Sequence, residues 1–189
     1  MATTSDFKNG LCINHNGELW KIESFQHVKP GKGPAFVRTK IRNLNTSRLL
    51  EHTFTAGVKI EIVRIENRAY QFLYREGGET YHFMNQKNYE QIAIQKNMIN
   101  APDYLKEGSI VDIMFHADKE LPLSCTLPQN VNLKIVFTEP GEKGNTATNT
   151  LKPAKTETGI EVKVPLFINQ DDIVKIDTIS GNYIERVKE

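Results

Sequence analysis

Apolar and polar residues alternate along most of the chain at a period of two. The clearest alternating runs are residues 58–62, 70–74 and 131–137. A period of two places successive side chains on opposite faces of a strand, so each run predicts a β-strand with one buried face. Helical periodicity is confined to residues 101–106, with Pro102 near the start and Gly108 just beyond, which predicts only a short helical turn.

Turn sequences separate these runs at short intervals. Asn16 followed by Gly17 is typical of a type I′ hairpin turn, and further turn signals stand at residues 66–67, 77–78 and 180–182. Many short strands joined by tight turns favour small closed barrels, because closure removes exposed sheet edges. The pattern therefore predicts an all-β protein.

The length of 189 residues fits three modules of about 60 residues each. An alternating strand ends near Arg64, and Leu127 with Pro128 marks a second break, so we predict modules at 1–64, 65–127 and 128–189. Residues 138–156 are rich in Gly, Thr, Pro and Lys and poor in apolar residues. This composition predicts a long loop inside the third module.

Several classes of protein are disfavoured by composition. No apolar run approaches the roughly 18 residues that a membrane helix needs, and the first residues lack the regions of a signal peptide, so we expect a cytoplasmic protein with no membrane partner. Cys12 and Cys125 lie far apart and are predicted to be small buried residues. The five histidines show no metal-ligand spacing, and no nucleophile motif is present. We expect no catalytic residue, metal or cofactor, and therefore no enzyme.

The nearly balanced charge, 24 basic against 23 acidic residues, conceals a local excess. Residues 1–64 contain ten Lys or Arg and five Asp or Glu, whereas acids predominate in 65–127 and 128–189. Residues 24–50 contain no acid at all. Such a concentration of positive charge favours binding to a polyanion such as RNA, and the alternative is an ordinary solvated basic surface.

The most informative stretch, which we call the lysine loop, joins two strand-like runs. It consists of Lys29, Pro30, Gly31, Lys32, Gly33 and Pro34. The glycines free the backbone and the prolines cannot donate ladder hydrogen bonds, so we expect Lys32 to stand clear of the sheet. The alternative is a plain hairpin turn with an incidental lysine. A nucleotide-binding P-loop is a poor explanation, because its spacing and its Ser or Thr are absent.

Basic residues alternate with less polar ones in the strand that follows the lysine loop. Arg38, Lys40 and Arg42 would share one side of this strand, which we call the basic face and which suits phosphate groups. A second candidate is a base-stacking platform in the middle module, formed by Phe72, Tyr74, Tyr81 and Phe83. The alternation of these four aromatic residues suits a core better.

Three stretches of the chain resemble bacterial elongation factor P. The first is residues 29–38 with 40–44, the second lies within 138–148, and the third combines 157–168 with a closing Gly181, Tyr183 and Arg186. Together they extend over nearly the whole chain. Their order, spacing and total length make coincidence improbable.

The resemblance implies both a fold and a function. The family fold is an N-terminal SH3-like (KOW-type) barrel followed by two OB-fold barrels, in an L-shaped array that resembles transfer RNA. The implied function is to bind the ribosome between the peptidyl and exit sites, contact the peptidyl-tRNA and ribosomal RNA, and relieve stalls at consecutive prolines. The ribosome would do the chemistry, and the factor would act as a monomer.

The resemblance also assigns roles to the lysine loop. Lys32 would approach the acceptor end of the tRNA, while Pro30, Gly31, Gly33 and Pro34 would shape the loop. The family modifies its tip residue: some branches β-lysylate a lysine or attach an aminopentanol group, and others rhamnosylate an arginine. Lys32 therefore implies a covalent amine modification, if any, by an enzyme that the sequence does not identify.

Further RNA contacts are implied by position. They are Lys29, Arg38, Lys40, Arg42, Gly144, Asn145, Thr146, Tyr183 and Arg186. The family often has Asp where this chain has Asn145, which keeps the shape but drops a charge, and it usually has Gly where this chain has Asp171. Aspartate enters the left-handed backbone region more easily than most residues. Tyr183 and Arg186 would contact the small subunit or simply close the last barrel.

Two other interpretations stay open. One is an elongation factor P-like paralogue that keeps the barrels but not the role of the modified lysine, and the intact lysine loop argues against it. The other is a structural RNA-binding barrel protein, whose basic residues would be spread over all modules instead of gathered in the first.

Overall fold

A computed structural model gives the fold and describes residues 2–140 and 151–187. Within these residues there are sixteen β-strands, four short 3-10 helices and no α-helix, which confirms the all-β class. The strands are β1 (Ala2–Thr3), β2 (Cys12–His15), β3 (Glu18–Val28), β4 (Phe36–Asn43), β5 (Leu49–Thr55), β6 (Lys59–Ile62), β7 (Ile65–Glu76), β8 (Thr80–Asn85), β9 (Gln91–Gln95), β10 (Ile110–His116), β11 (Leu121–Thr126), β12 (Asn130–Thr138), β13 (Leu151–Thr156), β14 (Glu161–Pro165), β15 (Ile173–Asp177) and β16 (Tyr183–Val187). The 3-10 helices are Thr4–Asp6, Lys96–Met98, Pro102–Tyr104 and Ala117–Lys119.

The strands form three sheets. The first has the order β1-β6-β2-β3-β4-β5, the second β11-β10-β7-β8-β9, and the third β14-β13-β12-β15-β16. The chain forms two compact units, residues 1–67 with 114–123, and residues 68–113 with 124–189. The module boundaries after residues 64 and 127 stay predictions. In the described part of the chain, no helix has the length and apolar character needed to cross a membrane.

The core of the first sheet fixes which side of each strand faces outward. Ile22 of β3 and both Val37 and Ile41 of β4 are fully buried. They belong to one apolar cluster that also contains Phe7, Ile13, Trp20 and Phe54. Because side chains alternate along a strand, burial of the odd-numbered residues of β4 directs its even-numbered residues outward.

Two β-bulges change the predicted alternation. The ladder between β7 and β8 shifts register between Phe72 and Tyr74, and the ladder between β12 and β13 shifts between Ile135 and Phe137. Beyond the shifts, Tyr74 is 47% and Phe137 is 60% exposed. The prediction that the whole runs 70–74 and 131–137 bury one face is therefore wrong at their ends, because an extra residue reverses the side chains that follow.

The run 58–62 also departs from the prediction. Val58 and Ile62 are exposed, whereas Ile60 is partly buried and packs against the first core. Val63, directly after β6, is buried instead. Ile60 is therefore the residue of this run that faces the first core, and the next buried residue, Val63, lies just beyond the end of β6.

The predicted long loop at 138–156 is partly a strand. Residues Leu151–Thr156 form β13, paired with both β12 and β14, and its alternate residues Lys152, Ala154 and Thr156 are buried. Composition concealed this strand because Pro153 and two lysines lie in it. At the other end of the predicted loop Thr138 belongs to β12, and residues 141–150 lie outside the described residues.

Several local predictions are confirmed. Asn16 and Gly17 both have positive φ, at 55° and 82°, as a type I′ turn requires, and Asp171 has a φ of 71°. The prediction of a buried cysteine is confirmed for Cys125, where burial raises the pKa of the thiol to about 12, and is wrong for Cys12, which is only partly buried. The predicted helical turn is the single 3-10 turn Pro102–Tyr104.

The four aromatic residues considered as a stacking platform divide between the core and the surface. Phe72, Tyr81 and Phe83 are buried and pack on one another, with ring centroids 5.4–5.7 Å from that of Phe72. Tyr74 is exposed and stacks on His82 at 4.5 Å. The core interpretation is therefore right for three of the four residues.

Candidate nucleic-acid interface

The lysine loop joins the two longest strands of the first sheet, β3 and β4. Its six residues, 29–34, are all exposed. Gly33 has a φ of +104°, which favours glycine strongly, whereas the backbone of Gly31 is outside the left-handed region. In the described structure, neither Lys29 nor Lys32 has a carboxylate partner. Lys32 is therefore held outward by a backbone turn and not by contacts of its own side chain.

The basic face lies on the strand that leaves this loop. Along β4, Val37, Thr39 and Ile41 are buried, while the alternate residues Arg38, Lys40 and Arg42 are exposed. The hydroxyl of Thr39 donates to the carbonyl oxygen of His52 at 2.7 Å, so this buried polar group is satisfied. The predicted placement of the three cations on one face is confirmed, although their contact with RNA stays a prediction.

Two of the three cations are paired with acids. Glu51 Oε1 lies 3.3 Å from Lys40 Nζ, and Glu23 Oε1 accepts a hydrogen bond from Arg42 Nε at 2.8 Å. A further nitrogen of Arg42 donates to the carbonyl oxygen of Ser47 at 3.2 Å. Sequence reasoning missed both acids because they flank the acid-free segment 24–50 on either side, and strand pairing folds them back onto it.

Arg38 differs from the other two cations of the basic face. Its neighbours across the sheet are Gln26 on β3 and Thr53 on β5, and neither has a charge. Within the described residues it has no carboxylate at ion-pair distance. Arg38 is also the cation of β4 closest in sequence to the lysine loop, so the uncompensated charge lies at the loop end of the strand.

The pairing holds Glu23 in its charged form. The hydrogen bond from Arg42 lowers the pKa of the Glu23 carboxyl, and the positive charges of Arg42 and Lys21 lower it further. Ion pairs between exposed side chains add little to stability, because water and salt screen the two charges. Their effect here is on the distribution of charge and not on the stability of the sheet.

The C-terminal residues assigned to RNA lie in the third sheet. Tyr183 packs against the third core, and burial raises the pKa of its hydroxyl. The guanidinium of Arg186 lies 3.7 Å from Asp172 Oδ2 and 6.0 Å from the centroid of the Phe167 ring. Tyr183 thus contributes to the third core, while a contact of either residue with RNA stays a prediction. Gly144, Asn145 and Thr146 lie outside the described residues.

The structure therefore separates the predicted site residues into two groups. The lysine loop and the basic face are contiguous along β3 and β4, whereas Tyr183 and Arg186 belong to β16. No cluster of three or more side chains suited to a metal ion occurs within residues 2–140 and 151–187. The first group is an exposed lysine beside a row of cations, which suits contact with a polyanion.

Family models match almost the whole chain. Residues 3–60 match the elongation factor P KOW-like domain, residues 65–123 match its OB domain, and residues 131–186 match its C-terminal domain. The match confirms the predicted fold class, with a KOW-like module ahead of an OB module. Among curated proteins, elongation factor P of Flavobacterium johnsoniae is 55% identical over 189 residues, and elongation factor P 1 of Porphyromonas gingivalis is 53% identical over 189 residues. Each alignment covers 100% of both proteins.

One solved structure supports the fold independently of close sequence similarity. A translation initiation factor eIF-5A family protein from Naegleria fowleri superposes with a TM-score of 0.51 at 14% sequence identity. The match covers 67% of this chain and 96% of that protein. At so low an identity the likeness concerns the fold alone.

Proposed function

This chain belongs to the elongation factor P family and is a translation elongation factor, and from that premise we propose that it binds the ribosome beside the peptidyl-tRNA and promotes peptide-bond formation at polyproline stalls. In this proposal Lys32 reaches toward the acceptor end of the tRNA. The supporting observation is the exposed Lys32, presented on a glycine-dependent turn between two long strands, with its side chain free of a carboxylate partner in the described structure.

The proposed contribution to the reaction is positional. Proline is a poor acceptor and donor in peptide transfer, so its reaction depends strongly on how the peptidyl end is held. Fixing reacting groups in a productive geometry lowers a barrier by removing entropy in advance, and this requires no proton transfer or covalent bond from the factor. The protein would thus act without being an enzyme, and the ribosome would supply the chemistry.

Charge would guide the approach to the ribosome. Lys29, Lys32 and Arg38 are exposed cations without carboxylate partners in the described residues, and they are close together along one hairpin. Such a group attracts phosphates through release of condensed counterions and positions a protein without reading sequence. We propose tRNA and ribosomal RNA as its partners and the cytoplasm as its place of action.

A covalent extension of Lys32 is part of the same proposal. The primary amine is exposed and nucleophilic once deprotonated, so a dedicated enzyme could acylate or alkylate it and lengthen its reach. The family resemblance favours β-lysylation or attachment of an aminopentanol group over rhamnosylation, because the tip residue is a lysine.

The proposal is tested by Lys32→Ala in cells that lack their own elongation factor P. We expect the variant to fold normally, because Lys32 is exposed, and to lose rescue of a polyproline reporter. Lys87→Ala, which removes an exposed lysine from the turn between β8 and β9 in another sheet, is the matched control and should retain most of the rescue. Full rescue by Lys32→Ala at wild-type protein levels would refute the role of this lysine.

A further inference from the structure

We infer that Glu23 and Glu51 determine the specificity of the basic face by neutralising the end that lies farther from the lysine loop. They pair with Arg42 and Lys40 and so confine uncompensated positive charge to the end beside the lysine loop. The inference rests on the proposed function and adds a role for two acidic residues that are not themselves proposed to touch RNA.

A β-bulge places Glu23 where it can act. In the ladder between β3 and β4, Ile22 faces Ile41 and the next pair is Ser24 with Lys40, so Glu23 is the extra residue without a partner of its own. The bulge changes the phase of β3, and the core positions pass from Trp20 and Ile22 to Phe25. Since Glu23 does not occupy a regular position of the ladder, its carboxylate is free to turn toward Arg42.

The surroundings of Glu23 show why a negative charge matters at this point. Lys21 faces Arg42 directly across the sheet. Two like charges in that relation repel each other and produce a strong local positive potential. Both cations lower the pKa of Glu23, so its carboxylate is close enough to compensate for them.

Glu51 compensates Lys40, the cation of β4 that lies between Arg42 and Arg38. It faces Lys40 directly across the ladder between β4 and β5, and their charged atoms lie 3.3 Å apart. Both side chains are more than half exposed, so the pair is readily rearranged. A phosphate that binds Lys40 or Arg42 must compete with a carboxylate already in place.

The result is a gradient of charge along β4. A polyanion gains the most binding free energy at Arg38 and the lysine loop. It gains less at Lys40 and Arg42, where an existing ion pair must be broken. This asymmetry favours an approach with Lys32 leading and weakens binding of unrelated RNA along the whole strand. Specificity then arises from a penalty on the wrong complex as well as from attraction in the right one.

Glutamine substitutions test the inference without altering the shape of the site. Glu23→Gln keeps an acceptor oxygen for Arg42 and removes only the charge, and Glu51→Gln does the same beside Lys40. We expect each variant to bind a single-stranded RNA of about 12 nucleotides about threefold more tightly at about 50 mM salt, measured by fluorescence anisotropy. The slope of log affinity against log salt should steepen, and the difference should vanish near about 1 M salt.

Glu79→Gln is the matched control, because it makes the same change in net charge on the exposed turn between β7 and β8, in another sheet. A double-mutant cycle adds a stricter test. In the wild-type background Arg38→Gln should weaken RNA binding more than Arg42→Gln does. In the Glu23→Gln background the loss caused by Arg42→Gln should grow to match that of Arg38→Gln.

The inference is overturned if Glu23→Gln and Glu79→Gln give the same RNA affinity and salt slope, or if the Arg42→Gln loss is the same in both backgrounds. These outcomes are separate from a failure of the proposed function. The latter is decided by the polyproline reporter with Lys32→Ala, and a negative result there would leave the RNA-binding measurements standing.

Discussion

At the scale of single residues, the presentation of Lys32 depends on one of its two neighbouring glycines. Gly33 has a φ of +104°, a region that residues with a β-carbon rarely enter, while Gly31 is outside the left-handed region. A β-carbon at either position would meet no atom within 4 Å. Backbone conformation alone therefore distinguishes the two sites.

We predict that Gly33→Ala lowers the free energy of unfolding by about 1 kcal/mol, because the turn must strain or rearrange. Gly31→Ala should change it by less than about 0.5 kcal/mol, or raise it slightly by restricting the unfolded chain. Urea titration of both variants measures the difference. Equal effects would show that the turn does not depend on the conformation of Gly33, and a polyproline reporter would then be expected to respond equally to both.

Residue chemistry was the most predictable level of this protein. The glycines and prolines of the lysine loop predicted its exposure, and the tolerance of Asp for positive φ predicted the backbone at Asp171. What could not be predicted is which of the two loop glycines is required. Both have the same local composition around them, and only the path of the chain between β3 and β4 decides.

At the scale of strands, prediction failed where the alternation of side chains is interrupted. Composition marks the strands well, but a bulge adds one residue without any strong signal of its own. Tyr74 and Phe137 are exposed for this reason, and a third such bulge lies at Glu23 in the ladder between β3 and β4. Pairing partners distant in sequence determine where the extra residue is accommodated.

Two histidines of the first sheet lie in contact with each other. The rings of His15 on β2 and His52 on β5 lie 4.5 Å apart, and Phe54 lies against both. Burial lowers the pKa of His15, and the charge of His52 lowers it further. A lowered pKa in the folded state means that the unfolded chain binds the proton more readily.

We predict that stability is full above about pH 6.5, the usual value of a histidine, and falls as the pH drops toward the lower pKa of the folded state. Urea midpoints between about pH 7.5 and 5.5 measure this loss above the range in which most carboxyls titrate. His15→Gln should flatten the dependence, while His27→Gln, at an exposed position of β3, should not. An unchanged pH profile for His15→Gln would exclude this histidine as its source.

At the scale of the whole molecule, net charge was a poor guide and its division along the chain a better one. The total of +1 gives no indication of RNA binding, whereas the excess within residues 1–64 indicated the first sheet. The sequence still overestimated how much uncompensated positive charge the basic face carries. Charges that are distant along the chain become neighbours across a sheet, so Glu23 and Glu51 neutralise cations that a linear count leaves free.

We predict that the protein purified from its native host has a mass above that of its 21.5 kDa sequence, with the added group on Lys32. Intact mass spectrometry measures the added mass, and peptide sequencing identifies the residue that carries it. The variant Lys32→Arg should return to its own sequence mass, because Lys29, the other lysine of the loop, does not stand between the two glycines. A native protein of unmodified mass would remove the covalent extension from the proposed mechanism.

The bulge at Glu23 also bears on how such a surface can be tuned. The ladder is regular on both sides of that position, so a β3 shorter by this one codon would keep Ile22 and Phe25 pointing inward and Ser24 opposite Lys40. Length variation at this point would then alter the electrostatics of the hairpin and spare its hydrophobic interior. A relative whose sequence has a gap at this position would then differ from this chain in its affinity for RNA and not in its fold.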